Sequence, residues 1–108
     1  MACTPIDFVH MPWLQGAHPL EQKKPHPESG TTLLRFAPGF ADPNWCERSH
    51  LFFVLEGCLG LELETETLTI DAGHACHVEA GTRHRAHNPE ASDAVVFAIS
   101  DFSLDQKK

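Results

Sequence analysis

Apolar and polar residues alternate along much of the chain after Thr31, with the two-residue period of a β-strand. Residues 58–64 are the clearest case: Leu59, Leu61 and Leu63 share one face, Glu62 and Glu64 the other. Segment 31–38 (TTLLRFAP) is β-rich and stops at Pro38-Gly39, a turn signal. Segment 50–56 (HLFFVLE) places His50, Phe52, Val54 and Glu56 on one face and Leu51, Phe53 and Leu55 on the other, and it stops at Gly57. Residues 67–70 continue after a tight connection near Thr65-Glu66. Segment 74–79 lies between Gly73 and Gly81, and 83–87 follows it. The unbroken apolar run AVVFAIS (94–100) predicts a strand buried on both faces. No stretch sustains a helical period. The pattern therefore predicts an all-β chain, its short strands joined by Gly-, Pro- and Asp-rich turns into a sandwich or barrel of jelly-roll type.

The first thirty residues read differently. They hold five of the eight prolines, a density that excludes a long helix and predicts an extended arm ending in a polar loop. Ile6, Phe8, Val9, Met11, Trp13 and Leu14 give the arm enough apolar surface to pack, and residues 21–30 are expected to be its loosest part. The chain thus divides into an arm at 1–30 and a single barrel domain at 31–108, with a core at about 31–101. Both faces of 50–56 are apolar. One fills the barrel and the other needs a cover, from the arm or from a second subunit, so a homodimer is expected.

Composition narrows the function. With 108 residues the chain has room for one domain. Eight Lys and Arg against fifteen Asp and Glu give a net charge of −7. That acidity argues against nucleic acid and anionic membrane as partners. The N-terminus lacks the basic and apolar regions of a signal peptide, and no apolar run reaches membrane-spanning length, so a cytoplasmic location is expected. Four cysteines without CxxC pairing read as buried thiols or ligands rather than disulfides. No Gly-rich phosphate loop, Walker-type lysine or Ser nucleophile elbow occurs, which sets aside nucleotide hydrolysis and serine hydrolase chemistry. Histidine is the unusual count. Of eight, His10, His18 and His26 lie in the arm and five fall between His50 and His87.

Those five lie within or beside two glycine-anchored segments, 39–57 (GFADPNWCERSHLFFVLEG) and 73–88 (GHACHVEAGTRHRAHN). A closed β structure could bring His50 and His84 from these distant strands into one hollow. Together the two segments resemble the paired motifs of the cupin family, over about residues 31–101. In the second motif Gly73, Gly81, His84 and Asn88 match in spacing, with Glu79 where the family has proline. The first motif matches at its end, where HLFFVLEG resembles the closing strand and turn. Counting back from Gly57 puts His50 at the family's glutamate ligand, and Asn44 and Cys46 at its two histidines. A gap one residue longer puts Pro43 and Trp45 there, and counting forward from Gly39 gives Trp45 and Glu47. The resemblance implies a cupin-type jelly-roll barrel, with His84 at a position that is a metal ligand in most members.

The candidate metal ligands are therefore His50, His84 and Cys46, with Glu47 as the fallback third ligand. Two imidazoles with a thiolate or carboxylate suit a divalent transition metal, iron or zinc first, with manganese, nickel and copper open. Phe52, Val54, Val96 and Ala98 are the expected pocket wall for a small-molecule ligand. His74 and Cys76 share a face and His77 points away, so they cannot all serve one ion. His87 is expected on the face opposite His84, and Arg83 and Arg85 at the rim. The functions that follow are a metal-dependent enzyme of the oxygenase or isomerase type, a non-catalytic module that binds or senses a small ligand, or a metal-free isomerase with His50 or His84 as base.

Overall fold

The computed structural model describes residues 3–103. Its strands are β1 (Leu14–Gln15), β2 (Glu21–His26), β3 (Thr31–Phe36), β4 (His50–Glu56), β5 (Cys58–Leu63), β6 (Thr67–Asp71), β7 (Ala75–Val78), β8 (His84–His87) and β9 (Ala94–Ser100). A single 3-10 turn, Pro27–Ser29, links β2 to β3. The strands form two antiparallel sheets, one ordered β1-β2-β3-β9-β4-β7 and one ordered β6-β5-β8. The fold is all-β, a jelly roll, as the alternation predicts. No helix among the described residues is long and apolar enough to cross a membrane.

The core lies between the sheets, filled by the residues whose alternation marked them as inward. Leu59, Leu61 and Ile70 come from the smaller sheet, and Phe36, Phe52, Val54, Val78, Ala94, Val96 and Ala98 from the larger. Val54, Val96, Leu59 and Leu61 have no exposed surface. Burying such side chains contributes about 1.5–3 kcal/mol each. Strand β4 lies between β9 and the edge strand β7, with Phe53 opposite Phe97 of β9 and Ala75 of β7. Its register with β9 shifts between Val54 and Glu56, and Gly57 ends it at φ 74°. A Cβ at Gly57 would stand 2.5 Å from the Asp93 carbonyl oxygen, so only glycine lets the chain turn there.

Two expectations change. Residues 21–26, expected to be loose, form a full strand paired with β3 from Glu21↔Phe36 to His26↔Thr31. Its sequence EQKKPH has no apolar alternation, so periodicity cannot detect it. Packing by the arm makes it a strand: Lys24 is only 7% exposed, its Nζ donates to the Phe8 carbonyl at 2.7 Å, and it lies 4.7 Å from the centre of the Trp13 ring. Pro25 is tolerated because β1 pairs only with Gln22 and Lys23, leaving the position beyond them without a neighbour that needs an N–H. Strand β9 has one buried face rather than two. Ala94, Val96 and Ala98 are buried while Val95, Phe97 and Ile99 are half-buried.

The outer face of the larger sheet is covered on one side. Phe8 meets Phe97 edge-on at 5.9 Å, and Trp13 lies over Lys24 and Arg35. Farther along, Phe53 and Leu55 on β4 remain 38% and 46% exposed.

On the smaller sheet His87 points outward, as expected, and its imidazole lies flat across Gly60 of the paired strand β5. A Cβ at Gly60 would overlap the ring. Gly60→Ala is expected to destabilise the protein by about 1–3 kcal/mol, the usual range for forced overpacking. In a His87→Ala background the same change should cost little. Urea unfolding of the four variants measures this coupling, and additive effects would show that the ring moves aside freely.

Candidate metal centre

Cys46, His50 and His84 converge at one end of the space between the sheets. One ligand atom from each lies within 4.8 Å of the other two. Each arrives by a different route. His84 opens β8 and is 3% exposed. His50 opens β4 in the other sheet. Cys46 lies in the connection between β3 and β4, which joins β8 through isolated antiparallel bridges at Ala41↔His87 and Cys46↔His84. The Cys46 N–H donates to the His84 carbonyl at 2.8 Å and the His84 N–H donates to the Cys46 carbonyl at 3.0 Å. Five residue steps on the loop span three on β8, so the extra chain bulges out between the bridges. A bulge of this kind is how an edge segment re-aims a side chain.

Hydrogen bonding defines the tautomer at His84. Its Nδ1 lies 2.8 Å from the Thr82 carbonyl oxygen, which can only accept, so Nδ1 carries the proton and Nε2 presents a lone pair. That Nε2 faces Nδ1 of His50 at 3.2 Å. In the neutral protein His50 therefore donates to His84. A zinc-sized ion with tetrahedral nitrogen ligands at about 2.0–2.1 Å would hold them about 3.3–3.4 Å apart. The two nitrogens, now joined by a hydrogen bond, thus stand near the separation one ion would impose, and the Thr82 carbonyl holds the other nitrogen of His84 as such partners commonly orient a ligating histidine. The donor set fits a borderline or soft divalent ion.

Burial, then the neighbouring His84 and the Arg48 guanidinium, push His50 below its ordinary value of 6.5; Asp101 and a hydrogen bond to the Arg48 backbone oppose the shift. Arg48 and Asp101 close the ends of β4 and β9 beyond His50, paired at 2.8 Å, with the Asp101 N–H bonded to the Ser49 carbonyl. Asp101 is the single non-glycine residue with positive φ (59°) among the described residues.

The other sequence candidates take separate places. Glu47 is outside the cluster: it faces the opposite side of its segment, 4.0 Å from Arg83. Phe52 stacks on His50 with ring centres 5.1 Å apart, while Val54, Val96 and Ala98 are packed into the core. Cys76 points inward and packs against the core, and burial pushes its thiol up from the ordinary value. His77 faces outward against Phe102, its Nε2 buried without a hydrogen-bond partner. Sequence reasoning missed a cavity of about 240 Å³ beside the cluster. It is lined by Leu61, Leu63, Leu68, Cys76, His77, Val78, Glu79 and Thr82, and adjoins the cluster through neighbouring strand positions rather than through Cys46, His50 or His84 themselves. Leu63 is the register partner of His84, and Val78 that of His50. The alternation of Leu59, Leu61 and Leu63 was the available signal, because their face is the face His84 shares.

The described fold matches known proteins. Residues 32–100 match the family model of the cupin domain. No functionally curated relative matches the sequence. Among solved structures, KdgF from a Halomonas species shares 23% identity, covering 96% of this chain and 97% of that one, with a TM-score of 0.70. A cupin-superfamily sugar phosphate isomerase from Silicibacter pomeroyi shares 16%, covering 93% and 76%, with a TM-score of 0.73. The cupin domain of an XRE family transcriptional regulator from Enterobacter cloacae shares 14%, covering 78% and 98%, with a TM-score of 0.64.

The His50 shift has a measurable consequence. Above pH 6.5 the imidazole is neutral in folded and unfolded chains alike. As pH falls below that value the unfolded chain gains a proton that the folded site resists, so stability present at neutral pH is lost until the lowered folded value is passed. In chelator-treated protein, His50→Gln is expected to flatten the fall in unfolding free energy between pH 7 and pH 5. An unchanged slope would show that His50 titrates normally.

Proposed function

The chain belongs to the cupin domain family, and from that premise we propose that it is a small metal-binding cupin, an enzyme of the oxygenase or isomerase type acting on a small molecule. The observation that carries this reading is the convergence of Cys46, His50 and His84 within 4.8 Å, with the His84 lone pair aimed at the cluster. His50, His84 and Cys46 are the proposed ligands. Iron or zinc is the proposed ion, with manganese, nickel and copper as further candidates. Such an ion supplies Lewis acidity, or in the case of iron oxygen chemistry, at a position next to the substrate.

This chain's own residues define what surrounds the reacting molecule. Phe52 forms an apolar floor beneath His50, and Leu61, Leu63 and Val78 line the adjoining cavity. Val54, Val96 and Ala98 back that floor from within the core. A space of about 240 Å³ favours a substrate of few heavy atoms. The apolar side chains set the size of the molecule admitted, and polar groups at Thr82 and Glu79 share its orientation with the ligand cluster. Binding at His50 Nδ1 would move the proton it shares with His84 to the other ring nitrogen, while the Cys46 thiol must release its proton to ligate, so affinity should rise with pH. A reducing compartment, the cytoplasm, keeps the Cys46 thiol free for this role.

A second reading is a binding or sensing cupin that holds a small ligand without converting it. The occurrence of this fold within a transcriptional regulator supports it. It predicts a ligand-dependent rise in melting temperature with no product formed. The enzyme reading predicts turnover that depends on the loaded metal.

Elemental analysis of untagged, unchelated protein tests the centre. About one equivalent of transition metal is expected in the wild type. His50→Ala and His84→Ala should each weaken retention by more than the roughly 10–100-fold typical of losing an outer-shell partner. Equal retention in both variants would overturn the ligand assignment. For quaternary structure we propose a homodimer that buries the strip the arm leaves open, at Phe53 and Leu55. Leu55→Lys should then shift the sedimentation coefficient from dimer to monomer, and a monomeric wild type would reject this arrangement.

A further inference from the structure

The three-strand patch that carries Cys46 and His84 has a second face. On the inner side Cys46, His84 and Leu63 lie in one row across the loop segment, β8 and β5. On the outer side the residues flanking that row form a ladder of their own. The Trp45 ring is gripped by two guanidinium groups, Arg83 at 4.8 Å and Arg85 at 4.3 Å from its centre. Arg85 is anchored in turn to Glu62, its register partner on β5, with Nε donating to Oε1 at 2.8 Å. Arg83 reaches Glu64 at 3.4 Å and Glu47 at 4.0 Å. The outer row therefore runs from Trp45 across the arginines to the two glutamates of β5.

We propose that Trp45, packed against Arg83 and Arg85, is a positioning residue that sets the Cys46 thiol in the ligand position. The inference rests on the reading of Cys46 as a ligand. Cys46 needs such a device because its segment is not a strand of the sheet. It follows a bulged loop and touches β8 at two isolated bridges. In a β pair a shift of one residue turns every inward side chain outward. Such a shift here would bring Trp45 or Glu47 to the ion in place of Cys46. Trp45 opposes that shift, since its ring can lie against both guanidiniums only while Cys46 faces His84. The ion pairs of the ladder are half-exposed and contribute little to global stability. Their effect is to hold both arginines in place against the ring.

Cobalt(II) titration separates this role from a general structural one, because a thiolate ligand adds a sulfur-to-metal charge-transfer absorption that imidazole does not. The wild type should show that band, and Cys46→Ser should lose it. Trp45→Ala is expected to bind cobalt more weakly, by up to about five- to thirtyfold, the most that losing two exposed cation–π contacts can add to register slip, with reduced charge-transfer intensity per bound ion. Trp45→Phe, which keeps an aromatic face, should restore most of both. The Arg83→Gln/Arg85→Gln double variant should resemble Trp45→Ala and serves where Trp45→Ala fails to fold. If these variants show wild-type affinity and band intensity, even with a lowered melting temperature, Trp45 is structural only and the inference is overturned. A wild type that binds cobalt without the band overturns it through the ligand reading instead, so the two failures are told apart by the wild-type spectrum alone.

Discussion

A pair of backbone hydrogen bonds between Cys46 and His84 is the constraint on which the site depends. It ties an irregular connection to the edge of β8 and sets which of its side chains enter the molecule. Because paired residues in an antiparallel bridge share a face, the inward direction of His84 is imposed on Cys46, and Trp45 and Glu47 are turned out. His50 completes the cluster from the other sheet, so the donors meet where the two sheets converge. Without the bridge, two histidines would remain near each other with no third donor beside them.

The interior explains where chemistry can occur. Between the sheets the apolar side chains are packed without exposure at Val54, Val96, Leu59 and Leu61, leaving no room for a ligand in the middle. A cavity opens toward the end that holds the cluster, where the lining includes Leu63, Val78 and Thr82. Phe52 marks the boundary, packed in the core on one side and stacked beneath His50 on the other. Polar donors at one end of a well-packed core can be held rigidly, because the strands carrying them are fixed by the burial of their neighbours two residues away.

The larger sheet meets a separate requirement on its outer face. Its middle strands are apolar on both sides, and the arm resolves part of that by laying Phe8 against Phe97 and drawing the Lys24 ammonium to the Phe8 carbonyl. The residues around Phe8 and Trp13 therefore act on the fold through β2, whose polar sequence pairs with β3 beneath them. What stays open at Phe53 and Leu55 is a narrow strip rather than a whole sheet face.

Local sequence by itself determined which side chains share a face, because strand alternation depends only on neighbouring residues. The inward row of Leu59, Leu61 and Leu63, the common face of His50 and Phe52, and the turn at Gly57 were all legible on that ground. Among the conflicting counts around Cys46, the one anchored at Gly57 singled out Cys46 because it shares a strand face with His50, but a loop's length says nothing about which residue it lays against β8. Only tertiary structure decided that pairing, as it decided that Glu47 faces Arg83, that Val54 and Val96 are core rather than cavity wall, and that EQKKPH is a strand. Each of these depends on a partner distant along the chain. Periodicity identifies the faces of each strand, whereas the contacts between distant strands decide which faces meet.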